Sequence, residues 1–377
     1  MDSNNYYKRK SIGIYSMQKD SDRQSSPLEV HINLWCIRLQ KHNEFALDFG
    51  IKFKLDTKEI LLLIPQIIDE KNVFDLGQRL IDNSRLLCSV FNENYQIVKN
   101  PTGSLDIVND IDGNPLFGIY KLRLNSSISV KVNEVNNTYT EIRITPQCEY
   151  DKSKLKVDTL YIRFQIKLED LKPFATDVLI SNDFLQSAFS SSHLFDIRIN
   201  DKREIDSNVD EKLIHDKWKQ AQFNKLHFFY MSEVSETVDN GSKLHLDTRM
   251  LEENLWKNYF GDSNKIEGQH IAYHWKKTVK EQKYEFEKQK GRLCLIPKYD
   301  NQPFDSFTLF FKTTYSNYNK IRILKYSGII ILLGIISSYI VTIISSVHAI
   351  SNFDGLLFNI CIFAVFVVIV LLLIFRH

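Results

Sequence analysis

The chain has 377 residues, of which 44% are hydrophobic and 25% are charged, and its formal net charge is +2 at pH 7. This length is enough for one large or two medium domains. The near balance of charge argues against nucleic-acid binding over the whole surface and leaves only local basic patches. The cysteines are odd in number and widely spaced, which supports neither a disulfide framework nor a zinc site; they are Cys36, Cys88, Cys148, Cys294 and Cys361.

The first 28 residues are polar and contain no apolar segment of the signal-peptide kind, so they predict a disordered tail. From 29 to 39 and from 44 to 55, apolar and polar residues alternate with the period of two that is typical of half-buried strands. The run 60–65 is apolar throughout and predicts a central strand.

The spacing of leucines over 73–88 predicts one amphipathic helix packed on that sheet. Turn-rich links then separate predicted strands near 95–99, 116–124, 128–135 and 140–146. We therefore predict a β-rich, sandwich-like domain over 29–148.

The charged stretch 149–158 predicts a domain boundary. Beyond it we predict an α+β membrane-proximal domain over 149–325. Its predicted strands cover 160–168, 194–199, 227–234, 293–297 and 307–313, and its predicted helices cover 182–189, 211–222, 248–259 and 268–290.

The segments 326–347 and 356–375 are apolar and uncharged, and about 20 such residues are enough to cross a bilayer as a helix. The fold class predicted from the whole sequence is therefore α+β, with a β-rich cytosolic body followed by a C-terminal two-helix transmembrane hairpin. Basic residues precede the first span, which predicts an inner-membrane protein with both termini in the cytoplasm; these residues are Lys312, Lys320, Arg322 and Lys325. Binding of an anionic lipid by this basic cluster is the alternative interpretation.

Small and hydroxyl residues form one stripe along the first predicted span, namely Gly334, Ser337, Ser338, Thr342 and Ser345. Such residues allow close packing of helix backbones. They can also line a pore, which would need several copies of the chain in a homo-oligomer. Both interpretations are consistent with the sequence.

Compact catalytic motifs are absent from the sequence, and we predict no catalytic residue, no metal and no cofactor. Glu267, His270 and His274 would share one face of the predicted helix and could bind zinc, but ordinary packed or exposed side chains are the default. Asp110, Asp112 and Asn114 resemble part of a calcium loop, and a β-turn explains them better.

Basic residues recur with aromatic ones from 276 to 292, and they include Lys276, Lys277, Lys280 and Lys283. Such a run can contact the phosphates of a ligand or lie on an anionic bilayer. An ordinary solvated helix is the simpler interpretation.

The order of a β-rich body and a hairpin at 326–347 and 356–375 resembles the two-transmembrane effectors of bacterial anti-phage systems. The resemblance implies a non-enzymatic effector whose body senses a nucleotide, nucleic-acid or protein trigger and whose oligomerised hairpins permeabilise the membrane. A membrane-tethered binding or scaffold module is the alternative. A third option is an enzyme with a dispersed active site, which a cluster of His227, His245, His270 and His274 in one cleft would favour.

Overall fold

The computed structural model describes residues 11–20, 25–38, 43–100, 105–146, 157–178, 190–260, 269–279, 283–289, 292–298, 302–316 and 320–347. Strands account for 51% of these described residues. The strands are, in chain order, β1 (Gly13–Gln18), β2 (Leu28–Arg38), β3 (Asn43–Lys54), β4 (Thr57–Ile64), β5 (Val73–Asp75), β6 (Gln96–Val98), β7 (Leu105–Asn109), β8 (Pro115–Tyr120), β9 (Ile128–Val132), β10 (Thr140–Ile144), β11 (Thr159–Leu168), β12 (Ala175–Val178), β13 (Ser190–Ile199), β14 (Lys219–Gln220), β15 (Phe223–Glu233), β16 (Thr237–Asn240), β17 (Leu246–Leu251), β18 (His270–Thr278), β19 (Lys283–Gln289), β20 (Arg292–Lys298) and β21 (Phe307–Ser316).

The helices are α1 (Gly77–Asp82), α2 (Ser84–Phe91), α3 (Ser207–His215), α4 (Glu253–Phe260) and α5 (Lys320–Val347), and a 3₁₀ turn covers Glu70–Asn72. Two short helices thus replace the one amphipathic helix predicted over 73–88. The helix breaks at Asn83, whose extended backbone ends α1 and whose side chain accepts a hydrogen bond from Leu86 N as the N-cap of α2.

The strands that the structure describes form three larger sheets and one two-stranded hairpin. Sheet A has the order β14-β1-β4-β10-β9, sheet B has the order β17-β18-β15-β2-β3-β11-β8-β7-β6 with β5 beside β11, and sheet C has the order β12-β13-β21-β16. The hairpin pairs β19 with β20. Strands from both sides of the predicted boundary at 149–158 pair directly in sheet B.

The main core joins all three sheets because each contributes its apolar face. Val30, Ile32 and Phe49 come from sheet B, Leu62 comes from sheet A, and Phe311 comes from sheet C. These side chains are fully buried. Alternation along β2 and β3 therefore turns their other face away from this core.

Helices cover part of that second face of sheet B. Leu80 of α1, Leu87 of α2 and Trp256 of α4 pack with Trp35 of β2 in a second apolar cluster. A third cluster packs Leu213 of α3 on sheet A. The space left uncovered on sheet B between α2, α4 and β17 becomes the cavity described below.

The described parts of 268–290 are strands and not the predicted helix. Residues 270–278 form β18, in which Ile271, Tyr273 and Trp275 alternate with His270 and His274. The two histidines therefore lie four residues apart along a strand and not on adjacent turns of a helix.

The structure corrects the predicted transmembrane hairpin. The first predicted span lies in α5 (Lys320–Val347). Over the residues that the structure describes, no helix has both the length and the apolarity to cross a membrane. The predictions of a multi-pass inner-membrane location and of membrane-channel character are wrong on this finding, and the second predicted span, 356–375, lies outside the described residues.

The chain divides into two compact units. The first unit comprises Met1–Thr176 with His193–Thr313, and the second comprises Asp177–Ser192 with Thr314–His377. The first unit contains the candidate site. In the second unit, α5 carries exposed apolar side chains such as Leu324, Ile331 and Val341.

Candidate functional site

A cavity of about 920 Å³ lies against the second face of sheet B in the first unit. We call it the central cavity. Its floor comes from β2, β3, β11, β15 and β18, and its walls come from α2 with the following loop, β17 and the start of α4. Its lining includes Glu29, His31, Lys52, Phe91, Tyr95, Arg163, Lys225, His227, Phe229, Asp247, Arg249, Trp256, His274 and Lys276.

Strand pairing brings residues that are distant in sequence to the floor of the cavity. β15 and β2 are parallel neighbours, and their register places His227 opposite His31. On the other side of β15, the antiparallel β18 places His274 opposite Phe229. Because side chains alternate along each strand, these residues share the face that points away from the main core.

Three histidines and two carboxylates form a continuous cluster along this floor. His31 Nε2 lies 3.2 Å from Glu29 Oε1, and the rings of His31 and His227 meet edge to face with centroids 4.7 Å apart. His227 Nδ1 lies 2.9 Å from His274 Nε2. His274 Nδ1 lies 4.0 Å from Asp247 Oδ2 at the rim.

Burial keeps these imidazoles neutral near pH 7. It lowers the pKa of His31, it lowers the pKa of His227 to about 2 with help from the neighbouring histidines, and it lowers the pKa of His274 to about 4 against the attraction of Asp247. A neutral imidazole has one nitrogen with a free lone pair. The cluster therefore offers ring nitrogens that can accept a hydrogen bond or bind a metal ion.

Glu29 is the anionic member of the cluster. Burial raises its pKa, but the hydrogen bond with His31 and the charges of His31, Lys225 and Lys52 outweigh burial and lower the pKa to about 2. With His31 neutral, Lys225 and Lys52 still hold the carboxylate ionised. Lys225 Nζ lies 3.7 Å from Glu29 Oε1.

Cationic side chains surround the histidines. Lys52 is half-buried over the ring of Phe117, and burial lowers its pKa. Lys276 and Arg249 are exposed at the opening. Among the described residues, no carboxylate lies within ion-pair distance of these three cations, so they are available to an anionic ligand.

A buried polar network supports Arg163 behind the cavity. Asp48 accepts hydrogen bonds from Trp35 Nε1 at 2.6 Å and from Tyr259 Oη at 2.7 Å. Arg163 donates from Nε to Tyr259 Oη at 2.6 Å and from Nη1 to Tyr161 Oη at 2.9 Å. Burial raises the pKa of Asp48, which Arg163 and its hydrogen-bond donors oppose.

Gly50 makes room for this network on β3. A Cβ at position 50 would lie 2.8 Å from Tyr161 Cζ and 3.2 Å from Arg163 Nη1. Any larger residue would therefore displace the two side chains that cross over β3. The glycine allows the guanidinium to reach the cavity from β11.

The structure distributes the sequence-predicted site residues over separate places. Lys276 lines the central cavity, whereas Lys277 points to the other face of β18 and donates to Ser306 O at 2.8 Å. Lys283 begins β19, its side chain is not described, and Lys280 lies outside the described residues. The prediction of a phosphate patch over all four lysines stays a prediction.

The residues predicted for the membrane region lie mostly on α5. Gly334, Ser337, Ser338 and Thr342 are exposed, and Thr342 Oγ1 donates to Ser338 O at 2.9 Å. Ser345, Lys320, Arg322 and Lys325 belong to the helix, but their side chains are not described. Lys312 is half-buried on β21.

The four histidines suggested as a sign of an enzyme do not form one cluster. His227 and His274 meet in the cavity, and His245 Nε2 bonds Asp247 Oδ1 at 3.0 Å near its rim. His270 lies farther along β18, opposite Glu233 and Leu251. His31 and Glu29 were missed as site residues, although both lie in the strand predicted over 29–39.

The other residues considered in the sequence are the possible calcium loop, Glu267 and the cysteines. Asp110 Oδ1 accepts from Asn114 N at 2.8 Å and from Asp112 N at 3.0 Å, and Gly113 has a φ of 84°, so the segment is the predicted turn, joining β7 to β8. Glu267 lies outside the described residues. Within the part of the chain that the structure describes, Cys36 and Cys88 form no disulfide.

Comparison with known proteins adds no assignment. No family model matches the chain, and no curated protein matches it. The central cavity is therefore the feature from which a function can be proposed.

Proposed function

We propose that the first unit is a sensor domain that binds a small phosphate-bearing ligand of the nucleotide class in the central cavity. One observation carries the proposal: cationic side chains, aromatic rings and neutral histidines converge on one cavity of about 920 Å³. Cavities of about 300 to 1,000 Å³ typically hold small ligands and cofactors.

The cations supply the phosphate contacts in this proposal. Lys276 and Arg249 stand at the opening and Lys52 stands on the floor. Arginine binds phosphate oxygens through two donors and lysine binds them as a point charge. Because the cavity also contains Glu29 and Asp247, a ligand that carries its charge at one end fits better than a uniformly charged polymer.

The aromatic rings supply a surface for a planar base. Phe229 stacks on His274 with a centroid distance of 4.2 Å, and Phe91, Tyr95 and Trp256 also line the cavity. Stacking of a base on an aromatic side chain contributes about 1–3 kcal/mol. A nucleotide therefore uses both the charged and the aromatic parts of the lining.

This proposal retains the sensor part of the sequence-based expectation. The idea that the body responds to a nucleotide trigger matches the composition of the cavity. We do not propose membrane permeabilisation, because no described helix has both the length and the apolarity to cross a membrane. Self-association of the chain and the absence of enzymatic activity both stay predictions.

The test uses isothermal titration calorimetry on the full chain with EDTA present. The probes are ATP, GTP, a cyclic dinucleotide, adenosine and inorganic phosphate. We expect at least one nucleotide to bind, adenosine to bind more weakly, and the affinity to fall as salt is raised. The double variant Lys276→Gln/Arg249→Gln should lose at least about tenfold in affinity, since charge-assisted hydrogen bonds each contribute about 1.5–3 kcal/mol.

The matched control is Lys131→Gln/Arg123→Gln, which removes two exposed cations outside the cavity. This control should bind as the unmodified chain does. Binding of none of the nucleotides, or an equal loss of affinity in both double variants, would contradict the proposal.

A further inference from the structure

The histidine cluster has the composition and the spacing of a metal centre. One ligand atom from each of Glu29, His31 and His227 lies within 4.8 Å of the others. We propose that these three residues bind one divalent transition-metal ion, of the zinc or cobalt kind, at the floor of the central cavity.

The backbone fixes the two histidines relative to each other. His31 and His227 are register partners on the parallel strands β2 and β15, and Glu29 is two residues before His31 on the same face. Strands that are buried in the middle of a sheet hold ligands more precisely than loops do. The site is therefore built before any ion arrives.

Two buried nitrogens in the cluster lack hydrogen-bond partners among the described residues. These atoms are His31 Nδ1 and His227 Nε2. Buried polar atoms are nearly always paired, and an unpaired one calls for an explanation such as an ion. A metal ion bound to one nitrogen of each ring would remove part of this deficit.

The outer contacts resemble those that orient metal-binding histidines. The second ring nitrogen of such a histidine usually bonds another group, which fixes the tautomer and the ring plane. His227 Nδ1 has this bond, at 2.9 Å from His274 Nε2. His274 in turn lies 4.0 Å from Asp247.

The ligand set selects the type of ion. Imidazole nitrogens suit zinc, copper, iron, cobalt and nickel, whereas magnesium and calcium take oxygen ligands. Lys225, at 3.7 Å from Glu29, opposes any cation, so the ion must form real bonds to nitrogen to compete. Three protein ligands leave a position open toward the cavity, where a ligand oxygen could bind.

The test measures metal alone, without nucleotide. The full chain is stripped with EDTA, dialysed and titrated with Co²⁺ while the visible d–d absorption is recorded, and bound metal is counted after gel filtration. We expect one Co²⁺ per chain, displaced by Zn²⁺ and not by an equal concentration of Mg²⁺. Glu29→Gln and His31→Gln should each weaken Co²⁺ binding by at least about tenfold, and His274→Ala should weaken it by about 10–100-fold.

Two control variants distinguish metal binding from the proposed nucleotide binding and from a nonspecific effect of removing a histidine. His215→Gln removes an exposed histidine of α3 and should leave the Co²⁺ titration unchanged. Lys276→Gln/Arg249→Gln should keep the Co²⁺ spectrum even though it loses nucleotide, so that the two proposals can fail independently. Circular dichroism of each metal-free variant establishes that it is folded.

Absence of bound Co²⁺ and of a d–d band in the unmodified chain would overturn the proposal whatever the variants do. An unchanged band in Glu29→Gln/His31→Gln would also overturn it. If the ligand variants fail to fold, the test uses the unfolding temperature of the unmodified chain and of His215→Gln. We expect Zn²⁺ to raise both temperatures by the same amount. If Zn²⁺ raises neither, the proposal is overturned.

Discussion

Asp48 shows how a single buried charge can be held in an apolar interior. It is fully buried, as is Arg163, whose Nη2 lies 3.9 Å away. Trp35, Tyr259 and Gln165 each donate a hydrogen bond to its carboxylate. Because these three neutral side chains donate to its oxygens, the carboxylate is more than a counter-ion for the arginine.

Replacement of this carboxylate by an amide tests how much the network contributes. In Asp48→Asn, an NH₂ group replaces one carboxylate oxygen, and it cannot accept the hydrogen bonds that this oxygen accepts from neighbouring side chains. Arg163 also loses its negatively charged partner. Breaking a buried charge pair typically costs 3–5 kcal/mol, so we expect the free energy of unfolding to fall by about 3 kcal/mol in urea titrations.

The same change at the surface provides the control. Asp158 pairs with Lys54 at 2.6 Å, but its side chain is 76% exposed. Asp158→Asn should therefore change the free energy of unfolding by less than about 1 kcal/mol. Equal effects of the two variants would show that the buried network adds no special stability.

The members of the candidate site could be predicted only in part. The alternation over 29–39 correctly predicted the strand that carries Glu29 and His31. Their contact with His227 could not be predicted, because nearly 200 residues separate them and the parallel pairing of β2 with β15 has no local signal. His274 was noticed, but on a helix and beside His270.

At the scale of elements, the segment around His270 shows why a helix was predicted and a strand formed. Charged residues with two histidines four apart fit the helical period, and the strand period fits the same residues equally well. Ile271, Tyr273 and Trp275 are aromatic or β-branched residues at every second position. That enrichment favours a strand and was the available signal.

The loop between β13 and α3 is held by charges. Asp201 accepts hydrogen bonds from Arg203 and from Arg198, and its backbone N–H donates to Ser11 Oγ at 3.0 Å. The loop therefore attaches the start of β1 to sheet C. The hydrogen bond from Arg203 lowers the pKa of Asp201 below its ordinary value, against the opposing effect of burial.

This lowered pKa predicts a pH dependence of stability. A carboxyl whose pKa is lower in the folded state stabilises the fold at pH values above its unfolded pKa of about 3.9, and that contribution is lost as the pH falls through the folded value. We expect the difference in unfolding free energy between the unmodified chain and Asp201→Asn to be constant from pH 7 to pH 5. It should shrink toward pH 3 in urea titrations.

Gln96→Ala provides the control for that titration, because Gln96 is exposed and has no titratable group. Its difference from the unmodified chain should stay nearly flat over the same range. A difference at Asp201 that grows as the pH falls would contradict the expected sign, because it would require a carboxyl whose pKa is higher in the folded state.

At the scale of the whole molecule, the order of strands in sheet B does not follow the order of the chain. β2 lies between β15 and β3, and β3 lies between β2 and β11. The alternation of apolar and polar residues was enough to predict that the first 148 residues are rich in strands. The interleaving of distant strands could not be predicted in this way, because it depends on which apolar faces meet and not on any local pattern.

The interleaving predicts that residues 11–148 do not fold alone. In that fragment β2 and β3 keep each other but lose β15 and β11, so both strands become edges with unpaired backbone groups. The core loses Ile162 and Phe164 from β11. We expect poorly dispersed amide resonances and no cooperative urea transition for 11–148, whereas 11–316 should show both dispersion and a cooperative transition. A cooperative transition in the shorter fragment would mean that sheet A and the β2–β3 pair suffice for folding, and that sheet B is assembled from two parts that are independently stable.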